Sequence, residues 1–123
     1  MWPIKLFLVL LRNQIILKPK ARRATKVLVA ELDSHSFALR SVDISLGFAE
    51  ADDLSCDIIM KSDFELKRFN DSSLLDSMTL HFQQALLRVG YPVDSPSSIT
   101  VNAHSEEEIK RSGGYYSYFN QQT

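Results

Sequence analysis

Apolar and polar positions along this chain change period several times, and each change marks an element. Val42, Ile44, Leu46 and Phe48 alternate with Asp43, Ser45, Gly47 and Ala49. Leu54, Cys56, Ile58 and Met60 alternate with Ser55, Asp57, Ile59 and Lys61. Successive side chains on a strand point to opposite faces, so a period of two marks a half-buried strand. The segment 49–53 between the two runs has the length of a hairpin loop, which predicts an antiparallel pair. The β-branched stretch Lys26–Leu32 reads as another strand, as do Ser97–Ala103 and the aromatic run Tyr115–Phe119.

Between Leu74 and Val89 the period lengthens. Leu74, Leu75, Met78, Phe82, Ala85, Leu86 and Val89 share one face of a helix. Ser73 with Asp76 predicts its start, and Gly90 and Pro92 predict its end. At about 1.5 Å per residue this helix is roughly 25 Å long, enough to cover a sheet face. Ser105 and Glu108 form a capping box, acids precede bases, and Gly113 follows, so a short helix is expected there. The expected fold is α+β: an antiparallel sheet of four to five strands packed by one long amphipathic helix, plus a short helix near the C-terminus.

A chain of 123 residues suits a single domain that folds without metal or disulfide. Residues 1–25 read as a basic and apolar N-terminal segment, either a packed strand or helix or a peripheral extension. Residues 26–119 read as one α+β domain and 120–123 as a frayed tail.

Charge divides the chain at the same place. The first 26 residues hold Lys5, Arg12, Lys18, Lys20, Arg22, Arg23 and Lys26 and no acid, so they carry +7, while the remainder carries −8. The apolar run Leu6–Leu11 is shorter than the roughly 7–15 residues of a secretory signal core. With Arg12 behind it, the run also falls short of the ~20 residues of a membrane span. Lys18, Lys20, Arg22 and Arg23 could contact membrane or polyanion phosphates if this segment rested on an anionic surface. Four cations without interleaved aromatics are too thin a pattern for nucleic acid. Pro19 argues instead for a solvated linker.

No pattern of residues in the sequence points to a particular reaction. His35, His81 and His104 are scattered and Cys56 is the single cysteine, so no metal site is expected. Cys56 falls on the apolar side of its strand, where a thiol is a small inert core residue. One cysteine fits a reducing, cytoplasmic setting. No phosphate loop, dinucleotide fingerprint or nucleophile elbow is present. No catalytic residue and no cofactor are assigned.

Three surfaces remain. Five acids and no base lie between Asp43 and Asp57. Strand alternation sends Tyr116 and Tyr118 to one face, and Leu80 and Leu87 sit on the helix side opposite its main apolar face. The expected function is non-enzymatic: a small protein-binding module, of the inhibitor or immunity-protein kind. It would hold a basic partner through Glu50, Asp52, Asp53, Asp57, Tyr116 and Tyr118. Leu80 and Leu87 would be an interface to a second copy. Two readings from other classes stand beside it. One is a small-ligand or enzymatic domain with a sheet–helix pocket, using His81 or His104 with nearby carboxylates. The other is a membrane-surface module using residues 1–26.

Overall fold

The computed structural model describes residues 2–46, 53–92 and 99–121. The chain begins with one long helical path: α1 (Trp2–Arg12), a π turn (Asn13–Leu17) and α2 (Lys18–Ser34). The strands β1 (Leu39–Leu46) and β2 (Leu54–Met60) follow, then α3 (Asp63–Asp71) and α4 (Leu75–Arg88). The chain continues through β3 (Val101–Ser105), α5 (Glu106–Arg111) and α6 (Tyr115–Gln121).

The fold is α+β, and the described sheet has three strands in the order β1-β2-β3. β1 and β2 form the expected hairpin pair, with Ile44 opposite Cys56 and Val42 opposite Ile58. β3 joins β2 in parallel. The sheet is therefore mixed and smaller than the antiparallel four or five strands expected. Lys26–Leu32 and Tyr115–Phe119, expected as strands, lie in α2 and α6.

The reason in α2 is a longer period that the local β-branched run conceals. Leu17, Ala21, Ala24, Leu28 and Leu32 are all buried at helical spacing. Two β-branched valines lower helix propensity by only tenths of a kcal/mol each. Burial of that stripe outweighs them. α2 lies against β1 and α4, so two helices rather than one cover this face of the sheet. Pro19 does not open a linker. It sits in the first turn of α2. A proline inside a helix cannot donate to the carbonyl four residues back, and its ring crowds that carbonyl. That residue, Ile15, lies within the π turn, where the helix is locally wider.

α4 buries the face its period predicts: Met78, Phe82, Ala85 and Leu86 are all buried. Gly90, at φ +75°, closes it, with Gly90 N–H donating to Leu87 O and Tyr91 N–H to Leu86 O. Its start differs from expectation. Ser73 has φ +59° and follows the end of α3, and α4 begins without a side-chain cap. The cap signal of α3 was Ser62, whose hydroxyl accepts from Glu65 N–H at 3.2 Å. Ser105 caps α5 as expected, accepting from Glu108 N–H at 3.0 Å.

Side chains fill the space between the sheet and its two covering helices. Cys56, Ile58, Met60, Met78, Phe82 and Leu86 meet there with no more than 0% exposure. Among the described residues, this core fills the space between β2 and α4. Burial, then the Asp57 and Asp43 carboxylates, push the Cys56 thiol up to about 12. The native protein should therefore be inert to an aromatic disulfide reagent at neutral pH and release one thiol equivalent on unfolding. Rapid labelling of the folded chain would contradict this placement.

Candidate binding site

The second face of the sheet is polar. Because β1 and β2 pair in register, Asp43 lies directly opposite Asp57 and Ser45 opposite Ser55. The parallel pairing of β2 with β3 puts Asn102 beside Asp57 and His104 beside Ile59. Alternation alone places Asp43 and Asp57 away from the core.

α5 and α6 cover part of this face. Arg111 reaches Asp63 at 2.6 Å, and the Ser105 hydroxyl donates to the same carboxylate. These two bonds, Arg111 first, hold the Asp63 carboxyl below its usual range. They tie α5 to the start of α3. The positive φ of Gly113 and Gly114 then turns the chain into α6. Ile59, Ile109 and Tyr118 form a small buried cluster there, with Phe119 packed beside it.

His104 is the centre of the arrangement. Its Nε2 lies 2.8 Å from Asp57 Oδ1 and its Nδ1 2.7 Å from the Tyr118 hydroxyl. With Asp57 ionised, Nε2 carries a proton. Nδ1 then either accepts from the phenol or, in the imidazolium, donates to it. Burial first, and the Glu108 carboxylate next, raise the pKa of Tyr118, so its hydroxyl keeps its proton. Phe119 meets the imidazole edge-on, with ring centroids 5.1 Å apart. This network orients Asp57 and fastens α6 to the sheet.

Two open grooves adjoin the network. One, of about 450 Å³, is lined by Asp43, Ile44, Ser45, Ser55, Asp57 and Phe119. The other, of about 470 Å³, runs past Asn102, His104, Glu108 and Tyr118. A third, of about 490 Å³, lies between α2 and α4, where His81 Nδ1 is 2.6 Å from Glu31. Among the described residues no group of three His, Cys, Asp or Glu side chains is placed to hold a metal.

No family model, curated protein or solved structure matches this chain.

Of the expected partner-binding residues, Glu50 and Asp52 lie outside the described residues, and Asp53 is exposed just before β2. Asp57 is half-buried on the polar face. Tyr116 and Tyr118 are not a pair: α6 is helical, so residues two apart diverge. Tyr116 is 84% exposed and Tyr118 only 4%. Tyr118 is thus a structural contact to His104. Leu80 and Leu87 are exposed on α4. Of the cations, Arg22 and Arg23 are exposed, while Lys20 donates to Gly90 O at 3.2 Å, where it helps close α4. Sequence reasoning missed Asp43 and Phe119 as site residues. Asp43 was legible, since the hairpin brings the polar positions of β1 and β2 side by side. Phe119 was not, because its place depends on α6 being a helix.

Proposed function

We propose that the body of this protein binds a basic segment of a partner protein, seating a Lys or Arg side chain between Asp43, Asp57 and Phe119. One observation carries the reading. Asp43 and Asp57 stand at facing positions on neighbouring strands. Among the described residues neither forms an ion pair with a Lys or Arg. Facing like charges destabilise a sheet, and a cation supplied from outside relieves that repulsion. Asp57 uses Oδ1 on His104, leaving its other oxygen for the groove. Phe119 in the groove wall adds apolar surface for the aliphatic stem of such a side chain.

The net −8 of residues 27–123 supports the same reading, because it steers basic partners toward the body. Asp53 and Tyr116 are exposed as well and stand in the same proposal as further contacts. An inhibitor or immunity protein acting on a basic toxin or nuclease is one setting for this chemistry.

A labelled oligo-arginine peptide tests the proposal by fluorescence anisotropy. Binding should weaken with added salt. Asp43→Asn should reduce affinity roughly tenfold, the scale of a lost hydrogen bond to a charged group. Amide shifts on titration should fall on β1, β2 and α6. Equal affinity of Asp43→Asn and the unaltered chain, or shifts confined to another face, would overturn it.

A further inference from the structure

The surface least explained by the fold is the outer side of the N-terminal helix. Ile4, Phe7, Leu8, Leu11, Ile15 and Ile16 are between 42% and 62% exposed. All but Ile16 fall on one stripe by their spacing. Among the described residues, α1 makes its main contacts with the π turn that continues it, not with the sheet or the other helices. The face of α2 that enters the core is a different one, formed by Ala21, Ala24, Leu28 and Leu32. The helix thus holds on to the body at one end and offers unsatisfied apolar side chains at the other. A contiguous exposed apolar surface of this kind marks an interaction site.

We infer that α1 and the π turn lie on an anionic lipid bilayer, with their apolar stripe in the acyl boundary and the following cations at the headgroups. Charge selects this occupant. The stripe is accompanied by Lys5, Arg12, Lys18, Lys20, Arg22, Arg23 and Lys26, and the first acid of the chain is Glu31. An amphipathic helix with basic residues beside its apolar face binds anionic bilayers through both terms together. Pairing α1 with α1 of a second copy would instead bring two like-charged segments, each with Lys5 and Arg12 and no acid, against each other. No helix among the described residues is long and apolar enough to cross a membrane, so α1 lies in the interface and does not span it. The −8 remainder is repelled by the same bilayer, which holds the body, and its acidic groove, away from the lipid. This inference does not rest on the proposed groove.

Trp2 is the single tryptophan of the chain and belongs to α1, so its emission reports directly on this helix. The experiment mixes the full chain with vesicles of phosphatidylcholine and phosphatidylglycerol, and separately with phosphatidylcholine alone. The chain should co-sediment with the anionic vesicles and its emission should shift to the blue. The triple variant Phe7→Gln, Leu11→Gln, Ile15→Gln changes only exposed positions. It should keep the folded spectrum, lose the blue shift and bind at least about tenfold more weakly, since affinity scales with buried apolar area. Arg22→Gln with Arg23→Gln should weaken binding to the anionic vesicles by roughly tenfold or more, since each cation near an anionic surface contributes about 1 kcal/mol. A chain that stays in the supernatant with unchanged emission overturns the inference. So does self-association that the triple variant abolishes while vesicles capture nothing, or tighter binding to RNA that survives the triple variant.

Discussion

Phe82→Ala is expected to lower the unfolding free energy by about 3–5 kcal/mol, the range for deleting a large aromatic from a sealed core. Phe82 is 0% exposed and sits where α4 faces the sheet among Met78, Leu86 and Ile58. The loss has two parts: the apolar area returned to solvent on unfolding is smaller, and the cavity left behind has rigid walls that collapse only partly. A domain of this size has a total stability of about 5–15 kcal/mol, so the variant should be close to marginal. Thermal unfolding followed by circular dichroism should show a midpoint at least roughly 10 °C lower. A change under about 1 kcal/mol would mean that Phe82 is not in the core.

The second large effect concerns α2. Leu28→Ala should cost about 2–5 kcal/mol, since Leu28 is fully buried. Ala30→Lys should change stability by no more than about 0.5 kcal/mol, because Ala30 is exposed. The contrast separates a helix from a strand. A strand would turn residues 28 and 30 to the same face, and both substitutions would then be severe. Urea unfolding of the two variants, compared at equal slope, decides between them.

Together the two substitutions map the shared core of α2, α4 and the sheet. That core also positions the candidate groove, because β2 is buried on both sides. Its Cys56, Ile58 and Met60 side enters the main core, while Asp57 and Ile59 face α6. Loosening the first side would disturb Asp57 from behind. Asp43 stands on the edge strand and is exposed. Its charge can be removed with little effect on the core, which makes it the cleaner probe of binding.

What could be read from the chain was whatever neighbours within about one turn or one strand pair decide. The face of α4 followed from a 3.6-residue period that Met78, Phe82, Ala85 and Leu86 keep. The β1–β2 pair followed from two alternating runs and a short loop. The cap of α5 by Ser105 followed from a serine three residues before a glutamate. Ser62 and Glu65 carry the same signal for α3. In each case the causes are local: amide donors left open at a helix start, and side-chain direction along a regular backbone.

Sequence alone determined the α+β class, the face of α4, the hairpin and the separation of a basic start from an acidic remainder. The helix over Lys26–Leu32 shows in the sequence only when the period is followed back to Leu17, while tertiary structure alone decided that Tyr115–Phe119 is helical, that β3 joins in parallel, and that His104 links Asp57 to Tyr118. Those partners lie 47 and 14 residues from the histidine. The physical reason is one of scale: local propensities differ by tenths of a kcal/mol, while burying a Leu28 or a Tyr118 against distant residues contributes several times that.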